Sequence, residues 1–144
     1  MSEQEQAPKL WPKTGPIVQL PVPFEDARGI IQTLVEGGVH SVQIITSKAN
    51  TIRANHYHRT DSHYMYMIKG AMKYFHRPAG DKSPPTWLLV SAGQMVYSPP
   101  MVEHAVEFVE DSVFVNITGK PRDQESYEDD LVRVNLHQSV DKSA

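Results

Sequence analysis

Residues 55–63 read Asn-His-Tyr-His-Arg-Thr-Asp-Ser-His, so three of the chain's seven histidines, His56, His58 and His63, lie close together. A fourth, His104, follows Ser-Pro-Pro-Met-Val-Glu. Imidazole is the commonest metal ligand and the one side chain that titrates unperturbed near neutral pH. A cluster this dense points to a bound metal or to proton transfer. On a strand, residues i and i+2 share a face. His56 and His58 therefore project together with Tyr57 behind them, and an ion ~2.0–2.1 Å from each imidazole nitrogen is easily placed between them. His63 opens the next strand and His104 a later one, so the four rings can converge. His40, His76 and His137 read as surface or hydrogen-bonded residues.

The elements that must position these rings are strands. Gly29–Val35 is β-rich and closes at Gly37-Gly38. Val39–Thr46 alternates, with Val42, Ile44 and Thr46 on one face and Val39, Ser41, Gln43 and Ile45 on the other. Further strands are expected over Thr51–His58, His63–Lys69, Ala71–Arg77, Trp87–Val90, Met95–Tyr97, His104–Glu110 and Val113–Thr118. Glycine and proline turns separate them. Many short strands at even spacing indicate an all-β barrel or sandwich. Only residues 122–130 look helical. Residues 1–23 hold five prolines, which lack the N–H donor and fix φ, so this stretch reads as an extended arm. Trp11 within it is a candidate for docking onto a partner surface. The expected organisation is a Pro-rich arm over 1–23, a barrel over 24–135 and a tail over 136–144.

Composition narrows the function. The chain has 144 residues, enough for one domain with a real core, and no cysteine. A disulfide framework and a thiolate zinc site are excluded. The net charge of −3 argues against a nucleic-acid footprint. No signal peptide and no apolar run of membrane-spanning length is seen. The expectation is a cytoplasmic protein with no nucleic-acid and no membrane partner.

With its spacing laid out, the sequence resembles the cupin superfamily. The first cupin motif has a His-x-His pair, an acidic residue and then a glycine. Here His56-Tyr57-His58 is followed, after four residues, by His63, and after six more by Gly70. The second motif runs from a glycine through Pro-x-Gly to a histidine and an asparagine. Here Gly93, Pro99-Pro100-Met101, His104 and Phe108 stand at those places. The resemblance implies a double-stranded β-helix (jelly-roll) barrel, an extended N-terminal arm and a short C-terminal helix. It also implies a metal between His56, His58, the acidic position and His104.

The chain departs from the motifs at three places: His63 for the acid, Met101 for a glycine and Phe108 for the asparagine. An all-imidazole set of His56, His58, His63 and His104 suits one divalent transition metal (Fe, Ni, Zn, Cu or Mn) over Mg or Ca. Asp61 is the rival for the acidic position, as ligand or as acceptor for a histidine N–H. Without metal, His63 would serve as general acid or base. Alternation puts Met65, Met67, Val106 and Phe108 inward, as an apolar pocket over a polar floor. Tyr74 and Tyr97 either supply a hydroxyl or bury as core, and Asn116 satisfies a neighbour or lines the cavity.

Arg53-Ala54-Asn55-His56 is similar, more narrowly, to the Arg-Gly-x-His strand of cupin-type sugar-nucleotide epimerases and ketoisomerases. That resemblance implies metal-free chemistry, with His56 and His58 as acid and base and Arg53 on a substrate phosphate. On simple alternation Arg53 faces away from His56, so this reading needs a bulge or a strand end. His104 speaks against it. The main expectation is therefore a metal-dependent enzyme, an oxidoreductase of dioxygenase type, a lyase or an isomerase. Its partner would be a small oxygen-bearing substrate. The alternatives are the metal-free isomerase or epimerase and a non-catalytic ligand-binding cupin. Resemblance to cupin dimers also implies a homodimer.

Overall fold

The computed structural model describes residues 8–120 and 124–138. Thirteen strands and one helix are found among them: β1 Lys13–Thr14, β2 Ile17–Val18, β3 Phe24–Asp26, β4 Gly29–Ile31, β5 Ser41–Ser47, β6 Ile52–His58 and β7 His63–Lys69. They continue with β8 Ala71–Pro78, β9 Thr86–Ser91, β10 Met95–Ser98, β11 Val102–Phe108, β12 Ser112–Thr118, α1 Gln124–Asp130 and β13 Leu131–Arg133. One sheet runs β1-β2-β10-β7-β12-β5 and the other β13-β6-β11-β8-β9, with every pairing antiparallel. This is the expected all-β jelly roll. Strands consecutive in sequence fall in opposite sheets at β6–β7 and β10–β11, and those crossings bring the two histidine segments together.

The two inner faces close over Met65, Met67, Met72, Tyr74, Val90, Val96, Val106, Phe108 and Phe114, all buried. Methionine is unbranched and polarisable, and it fills irregular space between the two sheets. Phe108, at the motif's asparagine position, stacks on Phe114 with centroids 5.7 Å apart and belongs to this core.

The arm is more structured than its prolines suggest. β1 and β2 form a short hairpin, and Ile17 pairs with Val96, extending the six-stranded sheet. Trp11 makes contacts within its own chain. Its indole N–H donates to the Leu34 carbonyl at 2.9 Å, and its ring packs beside Leu20, Leu34 and Val35. The strand expected over Gly29–Val35 is shorter, pairing only through Ile31 in a small hairpin with β3. α1 lies where a helix was expected, while residues 121–123 and 139–144 of the expected helical stretch and tail lie outside the described residues.

Met101 adopts a left-handed backbone (φ 60°) where the motif carries glycine. The turn geometry is thus retained by a residue that pays for it sterically. Gly70 meets the motif's demand directly. It has φ +91°, and a Cβ there would sit 2.2 Å from Ser112 Oγ and 2.6 Å from the Asp111 carbonyl oxygen.

Candidate active site

His56 and His58 project from β6, His104 from β11 and His63 from β7, so both sheets contribute. The rings of His56 and His104 are 4.7 Å apart, those of His56 and His58 4.9 Å, and those of His63 and His104 5.0 Å. The His63 and His104 Nε2 atoms approach to 3.2 Å. These rings floor a cavity of about 320 Å³, with Gln43, Ile45, Arg53, Met65, Val106, Phe114 and Asn116 among its walls. Met67 and Phe108, expected in the pocket, lie in the core rather than the lining.

His58, His63 and His104 are oriented from behind. His63 Nδ1 lies 2.7 Å from Asn116 Oδ1, His58 Nδ1 3.2 Å from Asp130 Oδ2, and His104 Nδ1 3.0 Å from Ser98 Oγ. The acceptors Asn116 Oδ1 and Asp130 Oδ2 make Nδ1 the N–H of His63 and His58 and leave their Nε2 bare, which is how proteins present a histidine to a metal or to a proton, whereas the Ser98 hydroxyl can either donate to His104 Nδ1 or accept from it. Asp130 also accepts from the Thr60 and Asp61 backbone N–H groups and the Thr60 hydroxyl. Burial pushes its carboxyl up, but these hydrogen bonds and the His58 ring outweigh burial and hold it below the usual aspartate value. Asp61 is buried in the turn beyond His58, beside Asp130, and is not part of the cavity lining.

The donor set fits a divalent transition ion. One nitrogen from each of His56, His58 and His104 lies within 4.8 Å of the others, and His63 Nε2 adjoins that of His104. The site is equally suited to proton transfer, since the same nitrogens face a cavity large enough for a small substrate.

Arg53 is brought into the same cavity by a backbone irregularity. Ala54 and Asn55 both have positive φ, 75° and 58°. The β6–β11 register jumps there, with His56 opposite His104, Ala54 opposite Ala105 and Arg53 opposite Val106. Asn55 is the extra residue of a β-bulge. Asparagine tolerates the left-handed region, and this one is also bonded to the C-terminal segment. Its Oδ1 accepts from the Leu136 and His137 backbone N–H groups, and its Nδ2 donates to the His137 carbonyl. The Arg53 guanidinium is held by Ser47 Oγ at 2.8 Å and the Thr46 carbonyl at 3.0 Å.

Several participants were not picked out from sequence. Asp130 is 72 residues from His58, Ser98 stands in sequence only as the first residue of the run before His104, and Gln43 only as part of one face of an alternating strand. Asn116 does both things expected of it: it bonds His63 and lines the cavity.

Among solved structures the same arrangement of sheets recurs. A variant of the 3,4-ketoisomerase QdtA from Thermoanaerobacterium thermosaccharolyticum, in complex with TDP-4-keto-6-deoxyglucose, superposes with a TM-score of 0.62 over 78% of this chain and 82% of its own, at 15% identity. The chain has a cupin fold. A 3,4-ketoisomerase from Helicobacter canadensis gives a TM-score of 0.64 at 11% identity, covering 78% of this chain and 85% of its own. The 3'-monoepimerase ChmJ from Streptomyces bikiniensis, in complex with dTDP-quinovose, gives 0.62 at 16% identity, covering 81% and 70%. No family model and no curated protein matches this chain. Among the described residues, no helix is long and apolar enough to cross a membrane.

Proposed function

We propose that this cupin is an isomerase or epimerase acting on a sugar linked to a nucleoside diphosphate. His56 and His58 exchange the proton at a carbon next to a carbonyl, and Arg53 holds the anionic part of the substrate. The observation that carries this reading is the bulge at Ala54–Asn55, which puts Arg53 on the same cavity as His56. A guanidinium offers a planar fork to phosphate oxygens, and its Nε and one Nη are already fixed by Ser47 and Thr46. His58, backed by Asp130, is oriented for the acid role, while the more accessible His56 removes the proton. Solvent exchange tests this directly. In D2O, a thymidine-diphosphate 4-keto-6-deoxyhexose should gain deuterium at C3 with the wild type and not with His56→Asn. Absence of exchange across a panel of nucleotide-linked keto-sugars would sink the reading.

A second reading has its own support. His63 Nε2 and His104 Nε2 face each other at 3.2 Å with their Nδ1 atoms held from behind, an arrangement that also suits a divalent transition ion on His56, His58, His63 and His104. When bound, such an ion polarises a substrate carbonyl or hydroxyl oxygen as a Lewis acid. Elemental analysis of protein purified without a His-tag decides between the two. Exchange that survives chelator with no stoichiometric metal favours the first. Metal that is retained by wild type and lost in His104→Ala favours the second.

A further inference from the structure

A row of hydrogen bonds runs behind the histidines. Tyr74 O–H donates to Ser98 Oγ at 3.2 Å, and Ser98 Oγ lies 3.0 Å from His104 Nδ1. His104 Nε2 lies 3.2 Å from His63 Nε2, and His63 Nδ1 2.7 Å from Asn116 Oδ1. Asn116 Nδ2 then donates to Gln43 Oε1 at 3.1 Å. The six residues come from six different strands, β8, β10, β11, β7, β12 and β5. The first five are at most 7% exposed, and Gln43 is exposed at the cavity wall.

The chemistry of the ends fixes the direction of the row. A buried phenol keeps its proton, and Ser98 Oγ is the one acceptor for it among the described residues. Ser98 therefore spends its own hydroxyl proton on His104 Nδ1. A neutral His104 then carries its proton on Nε2 and donates to His63 Nε2. His63 carries its proton on Nδ1 and donates to the Asn116 carbonyl oxygen. Along the row every donor meets an acceptor in this sense. Reversing it would leave one hydroxyl proton of the Tyr74–Ser98 pair without an acceptor in the row.

We infer that this row is a directed relay, that Asn116 and Ser98 are positioning residues setting the tautomers of His63 and His104, and that the cavity receives its polarity at Gln43. The inference deepens the proton-transfer reading and rests on it for its role in turnover. The relay makes His63 an acceptor and His104 a donor at their shared contact, so the two rings are chemically unlike despite similar surroundings. The Val102 carbonyl, 3.3 Å from His104 Nδ1, is the acceptor that would capture His104 if Ser98 were removed.

The experiment is nitrogen NMR on full-length protein labelled with 15N-histidine, at pH 8.5 with chelator present, with each ring assigned by histidine substitution. Wild type should show His63 as the Nδ1–H tautomer and His104 as Nε2–H. Ser98→Ala should switch His104 to Nδ1–H and leave the Asn116 bond of His63 in place. Asn116→Leu should disturb the tautomer of His104 as well as that of His63, although Asn116 does not touch His104, whereas Asn116→Asp should restore both. His63 found as Nε2–H in wild type, or His104 unchanged in Ser98→Ala, overturns the relay. If Asn116→Leu does not fold, the wild-type tautomers and Ser98→Ala still decide. Because these readouts need no substrate, correct tautomers without keto-sugar exchange would uphold the relay and reject the substrate reading.

Discussion

Arg53 and His56, three residues apart on β6, line the same cavity, an arrangement a regular strand forbids. The extra residue Asn55 restores the face that alternation would take away. The anion-holding and proton-moving halves of the proposed site are thus one strand with one irregularity.

Replacing Arg53 tests the first half. Arg53→Lys keeps the charge but not the fork, nor both bonds to Ser47 and Thr46. Binding of thymidine diphosphate, followed by calorimetry, should weaken roughly ten- to hundredfold in Arg53→Lys and at least as much in Arg53→Ala. That corresponds to about 1.5–3 kcal/mol for a charge-assisted bond. Unchanged affinity in both variants would remove Arg53 from the site.

Met101 occupies a left-handed turn position and is 51% exposed, so its side chain contributes little packing. A non-glycine residue pays about 1–2 kcal/mol there, partly offset by the freedom glycine has in the unfolded chain. Met101→Gly should stabilise by on the order of 1 kcal/mol, raising Tm by roughly 2–4 °C. A fall in Tm would show that the side chain is needed for packing.

Gly70 gives the opposite result. Alanine there meets both a left-handed backbone and the Asp111–Ser112 backbone. Strain of about 1–2 kcal/mol adds to about 1–3 kcal/mol of overpacking. Urea denaturation of Gly70→Ala should show a loss of at least about 2 kcal/mol. A loss under half that would mean the β7–β8 turn yields readily.

Burial pushes the Tyr74 phenol up to about 12, with the Ser98 hydrogen bond acting weakly the other way. Its unfolded value is near 10. The folded state therefore holds the proton more tightly, so stability is intact below pH 10 and falls as pH rises from 10 to 12. Two units correspond to roughly 3 kcal/mol. The stability difference between wild type and Tyr74→Phe should be constant from pH 7 to 9. Above pH 10 it should shift in favour of Tyr74→Phe. Parallel pH profiles would mean that Tyr74 ionises as freely in the fold as out of it.

The strands were legible in sequence because their apolar and polar residues alternate between glycine and proline turns. The convergence of His56, His58, His63 and His104 was legible because strand geometry and motif spacing agree. The Arg53 face was not: alternation assigns it wrongly, and the bulge depends on Asn55 bonding a segment 82 residues away. A separation of 72 residues likewise hides Asp130 behind His58, since a partner chosen by tertiary contact leaves no local signal. Met67 and Phe108 have the periodicity of the pocket face but sit deeper along it, where the sheets meet.

β5 carries Gln43 and Ile45 into the cavity wall, yet it is the outermost strand of its sheet, with β12 its one ladder partner among the described strands and the Arg53 side chain bonded to its last residues, Thr46 and Ser47. Val42 and Ile44 on its other face are 60% and 72% exposed, so no apolar contact pins it from outside. An edge strand of this kind opens at lower free energy than the sheet behind it. Amide hydrogens of β5 should therefore exchange well before those of β7 and β12. The cavity then has a door that is a piece of its own wall, already latched at one end by Arg53 on Thr46 and Ser47, and a ligand bridging Arg53 and Gln43 would extend that latch along β5.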